Sequence, residues 1–260
     1  MKLNAGIDIR VAQTEARFED GEARAVRVES KNGDANSFDS FIEVMERGAR
    51  DLGMTPEELV KRLDVVKVSM PDLVDTILAN RLGTVIGLMV TERKESGAPP
   101  LFDFLVSREM IVTVSEEVNK QGEQVLAPDS EEIRDKVRYL LEHGAGAIVV
   151  GLTNAAINPV NEQTIKEIIE SDYPRHYLGA VPVFISSDFG SEQDDFMRIK
   201  GCLLNVYCWA GVDDAVSRME TYLRERKFVG AFLIAEANGS AVPRPRLIPL
   251  NTSGSMGSRR

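Results

Sequence analysis

Few residues in this sequence combine a type and a setting that could do chemistry. Asp8 closes the apolar alternation Leu3, Ala5, Ile7, where a strand-end carboxylate can hold a divalent cation or face a phosphate. The same carboxylate can equally be satisfied by the amides of the turn that follows. A phosphate-cradling turn needs small residues so that backbone N–H groups reach the anion, and Arg10, Val11, Ala12 and Gln13 supply no glycine. Ser253-Gly254-Ser255-Met256-Gly257 has the composition of a phosphate loop but lacks a following helix, and it reads equally well as a flexible tail. His143 and His176 have neither metal-ligand spacing nor a nucleophile partner. The acid pairs Asp188 with Glu192 and Asp194 with Asp195 could serve acid–base work, but helix starts stabilised by the macrodipole explain them as well.

Composition narrows the classes. The chain has 260 residues, 31 Lys plus Arg against 41 Asp plus Glu, and a formal charge of −10, with no basic stripe. A sequence-independent grip on nucleic acid is therefore not expected. No apolar run approaches the roughly 20 residues of a membrane span, and the first residues lack a signal-peptide core, so a cytoplasmic protein without membrane partners is expected. Cys202 and Cys208 are six apart on a helical pattern, which puts them on different faces and predicts buried thiols rather than a disulfide or shared metal site.

The elements that must position these residues follow from periodicity. Alternation over 3–11 and a second extended run over 23–28, separated by Asp20-Gly21, predict an antiparallel hairpin. Phe38, Phe41, Ile42, Met45, Ala49 and Leu52 predict a helix, and Thr55-Pro56-Glu57-Glu58 is a capping box with proline at the first helical position. Strand 65–68, helix 71–81 and strand 84–90 predict a parallel crossover. A strand near 110–115 and a turn at Lys120-Gln121-Gly122 come next. Asp129 with Glu132 then predicts a second capping box ahead of a helix. Strand 147–151, a helix from Asn158-Pro159, strand 181–186, two helices between Glu192 and Arg226, and strand 230–235 complete an α/β pattern. Asn205, in an otherwise apolar helix, is expected to make a specific buried hydrogen bond.

In their order along the chain these residues resemble the N-terminal third of the hydantoinase A/5-oxoprolinase family, which includes large subunits of ATP-dependent acetone and acetophenone carboxylases. Gly6-Ile7-Asp8 with Thr14-Glu15 is similar to the family opening G-V-D-V-G-G-T-F-T-D. Gly122 to Pro128 is similar to G-x-V-L-x-P, and Ala147 to Glu162, with Asn158-Pro159, to A-V-A-V-x-L-L-x-S-Y-x-N-P-x-H-E. Ser186-Ser187-Asp188, Glu192, Arg198 and Leu204-Asn205-Val206-Tyr207 resemble S-S-E-V, P-E, Y-E-R and V-L-N-A-Y. Ala237-Asn238-Gly239-Ser240 resembles S-N-G-G, and Ser253 to Gly257 resembles S-G-P-A-x-G.

The resemblance implies an actin-like or sugar-kinase-type ATPase lobe with a mixed sheet and crossover helices, followed by a smaller α/β portion. The expected division is a first lobe over 1–100, a second portion over 101–242 and a flexible tail over 243–260. It implies ATP and magnesium as cofactors of the assembled enzyme, with Asp8 as magnesium or phosphate carboxylate, Thr14 as phosphate ligand, and Ser253, Gly254 and Gly257 as a second loop. Two departures bear on this. Arg10-Val11-Ala12 replaces the first phosphate loop G-G-T, and Ser69-Met70-Pro71-Asp72 stands where the family has H-G-T-T. The expected function is therefore a subunit of an ATP-dependent carboxylase or cyclic-amide hydrolase complex, with a degenerate nucleotide site, hydantoinase B-like partner subunits and a small-molecule substrate. A non-catalytic scaffold or regulator that kept the fold is the alternative.

Overall fold

The first three strands form an antiparallel meander in which alternate side chains turn inward, clearly apolar in the first and more weakly so in the second. In the computed structural model, which describes residues 2–20, 25–31, 37–92, 105–173, 181–189, 193–235 and 241–243, these strands are β1 (Leu3–Ile9), β2 (Gln13–Asp20) and β3 (Ala25–Lys31). The expected hairpin lacked β2, whose inward residues Thr14, Ala16 and Phe18 alternate with charged ones and leave only a faint apolar signal. Helix α1 (Ser37–Asp51) lays Phe41, Val44, Met45 and Ala49 against this sheet. The approach is close: a Cβ on Gly48 would stand 2.2 Å from the Phe18 ring.

The Thr55 box closes as expected around α2 (Pro56–Arg62): Glu58 N–H donates to Thr55 Oγ1 at 3.2 Å and Thr55 N–H to Glu58 Oε2 at 2.8 Å. Strand β4 (Leu63–Ser69) then pairs parallel with β1, and α3 (Pro71–Asn80) ends at Arg81 in the left-handed region, φ 54°. The expected parallel crossover does not form. Strand β5 (Ile86–Thr91) joins a different sheet, because the place beside β4 is taken by a strand from the far end of the chain.

That second sheet is built from β5, β6 (Ile111–Val114), β9 (Ala147–Gly151) and β10 (Val183–Ile185), all parallel, in the order β10-β9-β5-β6. Between β6 and β9 come the short hairpin β7 (Glu117–Val118) and β8 (Gln124–Leu126), then α4 (Ser130–Glu142). Asp129 caps α4 by accepting the N–H groups of Glu131 and Glu132 at 3.0 and 2.9 Å. The expected reciprocal bond of a capping box is absent, since the Glu132 carboxylate turns to the Ser115 N–H at 3.3 Å. Helix α5 (Val160–Asp172) links β9 to β10.

The last long element is one helix, α6 (Asp195–Glu225), not two. No proline interrupts it, and Gly201 and Gly211 weaken a helix by only about 1 kcal/mol each. Its apolar stripe changes partners along its length, which imitates a break. Ile199, Cys202, Leu203 and Val206 are buried in one half, and Val216, Met219 and Leu223 in the other. Strands β11 (Ala231–Ala235) and β12 (Ala241–Pro243) complete the first sheet in the order β12-β11-β4-β1-β2-β3. Among the described residues the chain thus forms two compact units, one from 2–82 with 210–243 and one from 83–209. Among the described residues no helix is long and apolar enough to cross a membrane.

Gly48 provides a test of the first unit. Gly48→Ala is expected to lower stability by about 1–3 kcal/mol, because the fully buried Phe18 ring cannot yield without disturbing the sheet. Urea unfolding of the two chains measures it.

Candidate functional site

Polar groups gather at the end of β1. Asp8 pairs across the hairpin with Glu15 and across the parallel ladder with Ser69, so all three share one face of the sheet. They line a cavity of ≈ 380 Å³ together with Gly6, Arg17, Arg27 and Lys67. Thr14 is opposite Ile9 and completely buried, so the Asp8 and Thr14 side chains leave the sheet on opposite faces. Arg10 Nε stands 2.8 Å from Asp8 Oδ2, and this bond together with the Asp8 charge raises the Arg10 pKa. The turn amides are also engaged. Arg10 N–H donates to the Gln13 carbonyl at 3.0 Å, and Val11 N–H donates to Asp72 Oδ2 at 3.0 Å. Asp72, in the first turn of α3, was not singled out by sequence reasoning, and its only signal was its place in the block that replaces H-G-T-T. Ser253, Gly254, Gly257, His176 and Glu192 lie outside the described residues.

A second concentration of polar groups lies at the carboxyl ends of the parallel strands in the second unit. Thr91 ends β5, Glu116 follows β6, Leu152 follows β9, and Ser186 follows β10. The chain leaves β5 toward β6 on one side and β9 toward β10 on the other, so the sheet reverses its winding between β5 and β9. Open α/β sheets bind ligands at such a reversal because the two connecting loops part there. In this chain the reversal is bridged by Thr91 Oγ1, which accepts the Thr153 N–H at 2.8 Å.

Glu162, fully buried on α5, holds the other loops. Its Oε1 accepts the Leu152 N–H at 2.9 Å and the Ser186 hydroxyl at 2.6 Å. Its Oε2 accepts the Ser187 N–H at 3.0 Å and the Ser187 hydroxyl at 2.7 Å. Ser186 links this carboxylate to Arg198, its Oγ accepting from Arg198 Nε at 3.0 Å. Arg198, itself buried, also donates to the Leu152 carbonyl at 2.7 Å and pairs with Asp195 at 2.8 Å. Asp195 in turn accepts the Asn154 N–H at 3.1 Å.

Glu116 anchors a neighbouring cluster. It accepts from the Thr91 hydroxyl at 2.5 Å and from Asn161 Nδ2 at 2.6 Å, while Asn161 Oδ1 accepts from Gln124 Nε2 at 2.5 Å. Burial pushes its carboxyl above the usual range, the two hydrogen bonds oppose this, and the charges of Glu162 and Glu117 add to the rise. Thr91, Glu116 and Asn161 were missed from the sequence, because a lone polar residue after an apolar run carries no signal of what it will meet. Glu162, Ser186, Ser187 and Arg198 entered only through the resemblance, and the structure brings those matched blocks together.

Other candidates have structural partners. His143 Nδ1 donates to the Tyr139 carbonyl at 2.7 Å, the ring closing its own helix end. Asp188 pairs with Lys166 at 3.2 Å, and Asp194 accepts the Met197 N–H at 2.8 Å at the start of α6. Cys202 and Cys208 are buried free thiols, and burial pushes the Cys202 thiol well up, which leaves it unreactive. Asn205 donates to the Gly201 carbonyl at 2.8 Å within its own helix. Among the described residues no group of three or more His, Cys, Asp or Glu side chains is placed to hold a metal ion.

Residues 6–173 match the family described as hydantoinase/oxoprolinase N-terminal region. The chain belongs to that family. This hydantoinase/oxoprolinase-type chain is 29% identical over 262 residues to the acetophenone carboxylase gamma subunit of Aromatoleum aromaticum, covering 90% of this chain and 35% of that protein. It is 22% identical over 263 residues to the acetone carboxylase beta subunit of Xanthobacter autotrophicus, covering 91% of this chain and 36% of that one. The fold is shared with a nucleotide-free structure of acetone carboxylase, at TM-score 0.76 and 22% identity over 93% of this chain and 37% of the other. It is shared also with the ATP-dependent caprolactamase of Pseudomonas jessenii, at TM-score 0.79 and 17% identity over 92% and 36%. The chain therefore spans about a third of the length of these relatives.

Two measurements test these buried networks. Glu162→Ala leaves two backbone N–H groups and two hydroxyls without their acceptor, and the expected loss is about 3 kcal/mol or more in urea unfolding, since each orphaned buried donor costs roughly 1–3 kcal/mol. Glu116 makes a pH-dependent contribution of known sign. Its folded pKa lies above the unfolded value, so its contribution is full below the unfolded pKa and is lost as pH rises through the folded one. The unfolding free energy of the native chain is therefore expected to fall relative to that of Glu116→Gln as pH is raised through that window. A difference that does not change with pH would contradict it.

Proposed function

We propose that this chain is a subunit of a multi-subunit ATP-dependent carboxylase or cyclic-amide hydrolase complex, in which it supplies an ATPase-like lobe whose first phosphate turn is closed. The role in a complex is supported by family membership and by two relatives that are themselves named as carboxylase subunits. The partners would be subunits of the hydantoinase B type, and the substrate a small carbonyl or cyclic-amide compound.

One observation carries the closed turn. The Val11 N–H, in the turn that replaces the family's first phosphate loop, donates to the Asp72 carboxylate, so this amide is already engaged by an anion of the chain itself. Arg10 adds to this by holding the Asp8 carboxylate, so that candidate magnesium ligand already has a cation beside it. The residues of the turn thus do not fit a magnesium nucleotide, and no step of a reaction is assigned to ATP on this chain. Asp8 is then the remnant of a phosphate site, Thr14 is excluded from it by its burial on the opposite face of the sheet, and Ser253, Gly254 and Gly257 are a remnant second loop.

Calorimetry with ATP and magnesium tests this reading on the chain alone and on the complex isolated with it. The chain alone is expected to bind more weakly than about 1 mM, equivalent to less than roughly 4 kcal/mol, while the complex binds. Tight binding by the chain alone would return it to the ATPases. Failure of both to bind would leave a scaffold or regulatory protein that kept the fold.

A further inference from the structure

Helix α1 carries more apolar surface than its buried stripe of Phe41, Val44, Met45 and Ala49. Phe38 and Ile42 are only half-buried, and with Glu46 they form one ridge at positions i, i+4 and i+8. Facing it, α6 presents the ridge Ser217, Thr221 and Glu225, and the space between is a groove of ≈ 490 Å³. The two ridges run in the same sense. At one end the Arg218 guanidinium lies 4.3 Å over the Phe38 ring. One turn further along α6, Tyr222 meets Phe41 edge-on at 5.7 Å, and its phenol, raised first by burial, is raised further by the charge of Glu46. The groove is therefore apolar at one end and flanked by Glu46 and Glu225 at the other. The arginines of the lining have carboxylates of their own: Arg218 stands 4.0 Å from Asp214, and Arg226, over the Tyr222 ring at 3.7 Å, stands 3.8 Å from Glu57. Among the described residues Glu46 and Glu225 have no ion-pair partner, so the charge left over at the groove is negative. Covering the groove takes these carboxylates out of water, which is costly unless the covering group brings a cation.

We propose that this groove receives an amphipathic helix of a partner polypeptide, with apolar side chains on Phe38 and Ile42 and a lysine or arginine between Glu46 and Glu225. Two facing ridges of i, i+4 side chains form the channel into which a third helix packs. The distance from Phe38 to Glu46 is about two helical turns, so the basic residue of the occupant is expected roughly seven or eight positions from its first apolar anchor. The inference rests on the proposed role as a complex subunit, which supplies the partner.

The experiment isolates the native complex through a tag on the full chain and compares the unaltered chain with Ile42→Glu, with the double variant Glu46→Lys and Glu225→Lys, and with Asp135→Arg as a control on an exposed site of α4. A photo-crosslinking residue in place of Thr221 identifies what lies in the groove. Ile42→Glu and the double variant are each expected to lower recovery of the partner roughly tenfold or more, the effect of losing an anchoring contact, while the control leaves it unchanged. Glu46 and Glu225 are exposed, so the thermal unfolding midpoint of the isolated double variant is expected to match the unaltered chain, which separates lost docking from lost folding. The crosslink is expected in a partner helix with an apolar stripe and a lysine or arginine, and changing that residue to glutamate is expected to restore recovery with the double variant. Full recovery with the double variant would overturn the inference and leave complex membership standing. A crosslink to another segment of this chain, or to a partner segment without a basic residue, would overturn the occupant. No partner with the unaltered chain would remove the proposed function and this inference together.

Discussion

A carboxylate taken fully out of water must be supplied with donors, and in this protein that requirement organises the second unit. Glu162 is placed on α5 by an apolar helix face that buries Ile165 and Ile169. Once there, it can be accommodated only if the loops after β9 and β10 turn their N–H and hydroxyl groups inward. Those loops are the ones that form the carboxyl edge of the sheet. Arg198 extends the same constraint to the start of α6 through Ser186, and Asp195 carries it on to the Asn154 amide. Burial of one carboxylate thus ties together four chain segments through a continuous run of hydrogen bonds.

Glu116 shows the same principle with a different outcome. Burial pushes its carboxyl upward, and the two neutral donors Thr91 and Asn161 oppose that rise without cancelling it. The cluster still ties β5 and β6 to the β7–β8 hairpin, since Asn161 also donates to the Leu126 carbonyl at 3.0 Å. At the end of β1 the arrangement is reversed. There the chain supplies its own anion, Asp72, to a backbone amide, and its own cation, Arg10, to a strand-end carboxylate. An anion-binding turn and an internally neutralised turn differ by very few residues.

Local elements were legible because they depend on near neighbours in sequence. The Thr55 box, the α1 stripe and the fully apolar run Ala147–Gly151 each state their own conformation. Strand β2 was not legible, because of its inward residues Thr14, Ala16, Phe18 and Asp20 only Phe18 is large and apolar, and its outward ones are polar or charged. The single helix α6 was not legible either, since a stripe that rotates between two cores looks like two stripes. Of the candidate site, Asp8 and the altered turn at Arg10 could be picked out by position and by the missing glycines. Asp72, Glu116 and Thr91 could not, because their partners lie many residues away.

The sequence by itself determined the α/β class, most elements, the buried thiols and the family, all of which follow from periodicity, capping chemistry and the order of short motifs. Only the tertiary structure decided which strands meet. It placed β11 beside β4, sent β5 into another sheet, set Thr14 and Asp8 on opposite faces, and put the Asp72 carboxylate on the Val11 amide. The physical reason is that strand edges and buried charges are satisfied by whatever partner the whole chain brings to them. Periodicity fixes what an element is, whereas pairing depends on the competition among all the edges and donors present at once.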